Sequence, residues 1–165
     1  MPRARQVFDP ASASPYKISR TGLELFADCP RCFYFDKRLG RSRPSGFPFN
    51  LNSAVDRLLK REFDDYRDKR LPHPLMTQAG IDAIPYAHPD LEKWRNNFTG
   101  VRFEHKPSGF LVYGAVDDLW QNATGELIVV DYKATSKATE ITELNEDWHQ
   151  SYKRQIEIYQ WLLRQ

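Results

Sequence analysis

L-V-Y-G-A-V-D-D-L-W, from Leu111 to Trp120, and E-L-I-V-V-D-Y-K, from Glu126 to Lys133, decide the fold. Both runs are rich in β-branched and aromatic residues, and N-A-T-G (Asn122 to Gly125) between them is a turn signal. Each run ends in carboxylates, and the second adds Lys133 two residues past Asp131. Acids at strand ends cost stability unless something cationic meets them. Residues two apart in a strand share a side, so Asp131 and Lys133 face one way while Val130 and Tyr132 face the other. Asp117 lies near the end of the preceding strand, where a hairpin neighbour comes within reach of Asp131. Two carboxylates, the backbone carbonyl of Tyr132 and water form the oxygen set that magnesium or manganese takes. A lysine beside such an ion can orient or deprotonate its water, or neutralise a phosphate. A surface ion pair between Asp131 and Lys133 uses the same residues, and D-x-K by itself does not separate the two.

Working outward, Val101 to Lys106 predicts a strand before these two, with P-S-G (Pro107 to Gly109) as the break. Three antiparallel strands in a row are therefore expected, over 101–106, 110–120 and 126–133. A polar loop follows from Ala134 to Asp147, then a helix from about Glu146 with Tyr152, Ile156, Tyr159 and Leu163 in register. Upstream, G-F-P-F-N reads as a loop with Asn50 or Asn52 as a cap. Leu51, Ala54, Val55, Leu58, Leu59, Phe63 and Tyr66 then predict a long amphipathic helix through Lys69. Asp56 sits at the margin of its apolar face, placed either to pair with Lys60 or to point into a cleft.

Pro72, Pro74, Pro85 and Pro89 argue against an extended helix before Pro89, and a short helix over 89–98 is expected, with Trp94 and Phe98 as its buried side. A first helix begins near Ser19 or Thr21, where T-G-L-E has capping-box spacing, and Pro30 ends it. Residues 1–15 read as a flexible tail and 16–165 as one domain. From Arg31 to Arg43 there are five Lys/Arg against the single acid Asp36, a local excess suited either to phosphates or to a solvated surface.

The 165 residues suffice for one core, and 41% hydrophobic with 28% charged is ordinary for a soluble globular protein. No apolar run is long enough to span a bilayer and the N-terminus lacks a signal peptide, so a soluble, cytoplasmic protein without membrane contact is expected. A net charge of +2 does not argue for nucleic acid by itself. Cys29 and Cys32 are too few for a disulfide framework, and the scattered histidines complete no zinc site. A Gly-rich phosphate loop, G-x-S-x-G and H-E-x-x-H are all absent from the sequence.

G-A-V-D-D-L-W, then V-V-D-Y-K-A-T, then Q-I-E-I-Y resemble the PD-(D/E)xK nucleases, specifically their RecB-like branch. The opening S-R-T-G-L-E-L-F-A-D-C-P-R-C-F-Y-F is similar to that branch's N-terminal signature, and the resemblance runs from Tyr16 to Gln165. It implies an α/β, restriction-endonuclease-like core: a mixed central sheet flanked by helices, ordered helix, three consecutive strands, helix. It makes Asp117 the first metal carboxylate, Asp131 the second and Lys133 the catalytic lysine, with Gln155 and Tyr159 lining the site.

Where the family places a histidine or an acid on the long helix, this chain offers Asp56; Asp118 is the substitute should Asp117 face away, and Glu104 a further carboxylate. The family's final strand is missing, so a protein partner or a further C-terminal segment is expected to complete the sheet. Two cysteines cannot supply the four thiolates of an iron–sulfur cluster, and none is expected. The implied activity is Mg2+- or Mn2+-dependent hydrolysis of DNA phosphodiesters in repair, recombination or defence, with Arg31, Lys37, Arg38 and Arg41 as backbone contacts. The alternative is a catalytically inactive nucleic-acid-binding or assembly module on the same fold.

Overall fold

The computed structural model describes residues 7–44, 50–134 and 141–165. In chain order the elements are β1 (Tyr16–Ser19), α1 (Arg20–Asp28), α2 (Pro30–Leu39), α3 (Asn50–Lys69), α4 (Pro74–Gln78), β2 (Ala83–Pro85), α5 (Leu91–Arg95), β3 (Val101–His105), β4 (Phe110–Gly114), β5 (Asp118–Asn122), β6 (Leu127–Val130) and α6 (Gln150–Leu163). Among the described residues they form two three-stranded sheets, β1-β4-β3 and β2-β5-β6, flanked by helices. The first is mixed, because β1 runs parallel to β4 and β3 antiparallel to it. The second is antiparallel throughout. Among the described residues, no helix is long and apolar enough to cross a membrane.

The stretch expected as one strand over 110–120 is two strands in different sheets. The cause is α5. The Val116 amide donates to the Trp94 carbonyl (3.2 Å), and Arg95 Nε donates to the Asp117 carbonyl (2.9 Å). Backbone groups between β4 and β5 thus find partners on a helix instead of in a ladder. The three expected strands are therefore not one meander: β3 and β4 form one hairpin, and β5 and β6 another. Asp117 sits in the break between sheets, and Asp131 just past the end of β6.

Ser19 is the cap of α1, its hydroxyl accepting from the Gly22 amide at 3.1 Å. Pro30 both follows α1 and opens α2 as its first residue, where a missing N–H costs nothing. The aromatic–basic stretch after Pro30 is thereby helical, and Gly40 at φ 67° ends it. Phe8, inside the stretch read as a tail, is anchored: its amide donates to the Lys37 carbonyl at 2.7 Å, and its ring packs edge-on against Tyr16 and Phe110. The side chains of Asn50, Leu51 and Asn52 at the start of α3, most of the G-F-P-F-N loop, and 135–140 in the polar loop lie outside the described residues.

Two cores result. Tyr16, Ile18, Val101, Val112, Val116, Tyr159 and Leu162 pack between the first sheet and α6. Phe63, Met76 and Ala83 pack between α3 and the second sheet, with Phe63 stacked on His73 at 4.0 Å and on Trp120 at 5.3 Å. Leu58, expected on the apolar face of α3, points outward. Phe98 is 82% exposed and is not the buried partner of Trp94, because α5 ends at Arg95 before its next turn.

Gly114 is the point of closest approach between sheet and helix. A Cβ there would lie 2.5 Å from the Tyr159 ring. Gly114→Ala should displace Tyr159 and cost about 1–3 kcal/mol, the usual range for overpacking. Urea denaturation checks this, and an unchanged midpoint would contradict the tight crossing.

Candidate active site

The break after β4 points Asp117 and Asp118 in opposite directions. Asp117 turns toward α3 and the end of β6. Its Oδ1 accepts from Lys60 Nζ at 2.8 Å and its Oδ2 from the Tyr132 amide at 2.9 Å. The second bond fixes the Asp117 carboxylate against the chain between Asp131 and Lys133, the juxtaposition expected from hairpin pairing. Lys60 also reaches Asp56 Oδ2 at 3.0 Å, so the i,i+4 pair on α3 forms and extends to Asp117. Burial works against the Lys60 charge, yet the hydrogen bonds and charges of Asp117 and then Asp56 prevail and hold its pKa above the ordinary lysine value.

Asp131 is held from both sides. Gln155 on α6 donates its amide to Oδ1 at 2.6 Å, and Lys133 pairs with Oδ2. The Asp131 side chain is only 7% exposed, whereas Lys133 is 39% exposed and reaches the surface. Gln155 also donates to the Tyr159 hydroxyl at 3.1 Å, so the two residues one turn apart on α6 act together. Burial lowers the Lys133 pKa; the Asp117 charge opposes this and the Arg20 charge reinforces it. The Lys133 ammonium lies 5.2 Å from the centre of the Tyr152 ring.

Asp118 has a different task. It is fully buried (0% exposed), paired with Arg67 and with Arg95 (3.2 Å), and its Oδ2 accepts from the Tyr132 hydroxyl at 2.7 Å. Burial first, then the Asp118 charge, pushes the Tyr132 hydroxyl pKa far up, so it remains a donor. Arg95 bridges on to Asp64 at 2.9 Å. This network fastens α3, α5, β5 and Tyr132 beneath the site. Asp118 is therefore not a substitute for Asp117. Glu104 is also elsewhere: it is exposed on β3 opposite Leu111, away from the Asp117 end of β4.

Lys60, Arg67 and Arg95 were not singled out from the sequence. Only Lys60 left a trace there, as the i+4 partner of Asp56. Of the basic group near α2, Lys37 pairs with Asp36 at 2.9 Å and Arg38 donates to the Phe8 carbonyl at 2.7 Å, while Arg31 and Arg41 are exposed. Cys29 and Cys32 are free, half-buried thiols; Cys29 Sγ caps α2 by accepting from the Cys32 amide at 3.3 Å.

Among the described residues, no three His, Cys, Asp or Glu side chains form a ready metal cage. The donor chemistry still suits a hard divalent ion. Asp117 and Asp131 each keep a lone pair on oxygens that now accept one hydrogen bond, and a lone carbonyl plus water would fill the remaining positions. Lys60 stands where such an ion would compete for Asp56 and Asp117. Replacing it should leave two facing carboxylates unneutralised. Lys60→Met is expected to melt lower than the wild type without metal and to bind Mn2+ about tenfold more tightly. Equal Mn2+ stabilisation of the two proteins in thermal melts would contradict this role for Lys60.

A family model described as the PD-(D/E)XK nuclease superfamily matches residues 17–165, and the chain belongs to that superfamily. No curated protein and no solved structure gives a significant match. The match covers the first mixed sheet apart from Tyr16, the break carrying Asp117, and α6 to its end.

Proposed function

We propose that the chain is a metal-dependent deoxyribonuclease, of the RecB-like branch, that hydrolyses phosphodiester bonds in DNA repair, recombination or defence in the cytoplasm. The carrying observation is the convergence of Asp117 on the Tyr132 amide, which gathers Asp117, Asp131 and Lys133 at the end of β6. Asp117, Asp131, the Tyr132 carbonyl and, once Lys60 yields, Asp56 are the ligands proposed for Mg2+ or Mn2+. When bound there, such an ion polarises a phosphoryl oxygen and lowers the pKa of its water.

The chain's own residues supply the rest. Lys133, with its proton loosened by burial, orients or deprotonates the attacking water. Gln155 fixes the Asp131 carboxylate, and Tyr159 fixes Gln155. The water oxygen bonds to phosphorus and the P–O bond to the leaving sugar oxygen breaks. Lys133, acting as the neutral amine after giving its own proton to solvent, takes the water proton, and the departing oxygen is protonated from solvent.

A second reading is an inactive nucleic-acid-binding or assembly module on this fold. The salt bridges of Lys60 to both Asp56 and Asp117 favour it, since they neutralise two carboxylates without any metal. A cleavage assay on circular, linear and single-stranded DNA with Mg2+ or Mn2+ separates the readings. Cleavage that requires the metal is expected; intact DNA under all these conditions would favour the module.

A further inference from the structure

Beside Lys133 runs a row of rings that leads away from the site along the start of α6. The Tyr152 ring, 5.2 Å from the Lys133 ammonium, meets Trp148 edge-on at 5.6 Å. Trp148 belongs to the 3-10 turn Asp147–His149 that leads into α6, and it is 49% exposed although indoles are costly to leave in water. The turn is held firmly. The Glu146 amide donates to Nδ1 of the buried His149 at 3.1 Å, the His149 ring lies against Trp148 at 3.8 Å, and Ser151 donates to the Trp148 carbonyl at 3.0 Å. Trp148 is thus a fixed aromatic platform.

Trp148 also lines a recess of about 500 Å³, with Glu24, Asp28, Arg43, Ser151 and Arg154 around it. Arg154 grips Glu24 through two bonds (3.1 and 2.5 Å), and Arg43 holds Asp28 at 2.7 Å. Both guanidiniums remain open to solvent, at 41% and 51% exposure. The order along the surface is therefore ammonium, ring, half-exposed indole, then two guanidiniums. Interleaved cations and aromatic faces are what a single strand requires, phosphates meeting the first and unpaired bases the second. A duplex keeps its base faces stacked inside and has none to offer the indole. An apolar peptide would make no use of the solvent-exposed sides of the two guanidiniums.

We propose that Trp148 is a stacking platform for an unpaired base of single-stranded DNA next to the scissile phosphate beside Lys133, so that the site prefers single strands and frayed ends. The proposal deepens the nuclease reading and rests on it for the position of the scissile phosphate. Because Glu24, Asp28 and Asp147 offset the guanidiniums in the recess, stacking is the larger contribution there.

Binding is measured by fluorescence anisotropy in EDTA, where no cleavage occurs, with the full chain, labelled oligo(dT) and a blunt hairpin duplex. Trp148→Ala should weaken oligo(dT) binding about 5- to 150-fold, the range for one lost base–aromatic stack, and leave duplex binding unchanged. Trp148→Phe should recover most of the loss, which separates a missing ring from a disturbed turn. Wild-type affinity of Trp148→Ala for oligo(dT), equal losses on duplex and single strand, or tighter binding of oligo(U) than oligo(dT) would each overturn the proposal. The two readings fail separately: unchanged oligo(dT) binding by Trp148→Ala alongside Lys133-dependent cleavage removes only the platform. A protein that cleaves nothing yet shows the Trp148 dependence removes only the nuclease reading.

Discussion

Lys133→Ala is expected to cut cleavage by at least two orders of magnitude, while the protein still folds and binds its metal. Three features support the proposed role of this side chain. It pairs with Asp131, it is within electrostatic reach of Asp117, and burial lowers its pKa. A lysine whose pKa is lowered loses its proton at a lower pH than a free one, which suits a base acting on water. Since its side chain is 39% exposed, its removal leaves no buried cavity, and the urea midpoint should barely move. Asp117→Ala should abolish cleavage by a different route, removing a ligand instead of the base. Unchanged cleavage in both variants would refute the assignment.

Asp118→Ala should be the most destabilising single substitution near the site, costing about 3–5 kcal/mol. Asp118 is wholly buried, accepts hydrogen bonds from Arg67 and the Tyr132 hydroxyl, and is ion-paired with Arg95. Its loss takes the buried carboxylate from Arg67 and Arg95, whose side chains are only 7–8% exposed and keep Asp64 and backbone carbonyls as partners, against a domain stability of about 5–15 kcal/mol. The adjacent Asp117 is partly exposed, at 20%, and its removal should be far milder for stability. Denaturant unfolding of the two alanine variants therefore separates neighbours that the sequence presents as equivalent. A loss below about 1 kcal/mol at Asp118 would contradict the network.

This contrast marks where sequence reading succeeds and stops. Asp131 with Lys133, and Gln155 with Tyr159, were legible because each pair is a short-range period, two along an extended chain and four along a helix. The resemblance put Asp117 first with Asp118 as the substitute, but the reason their side chains part is the break after Gly114, made by Trp94 and Arg95 on α5, about twenty residues upstream. The mixed sheet was implied by resemblance, but β1 carries only four residues and pairs with β4 across most of the chain, so no local pattern reveals it. Helix α2 was hidden because Pro30 reads equally as a stop and as a first helical residue. Lys60 was seen as a local partner of Asp56. Its longer reach to Asp117, a contact between residues 57 positions apart, has no local signature.

Asp117 and Asp131 are proposed to hold a metal ion and not to be simply the acid half of two lysine pairs. Calorimetric titration with Mn2+ tests this most directly. The wild-type chain is predicted to bind Mn2+ at millimolar concentration or below, and Asp117→Ala to lose that binding while keeping its fold. No heat of binding at millimolar Mn2+, or equal binding by wild type and Asp117→Ala, would contradict the claim.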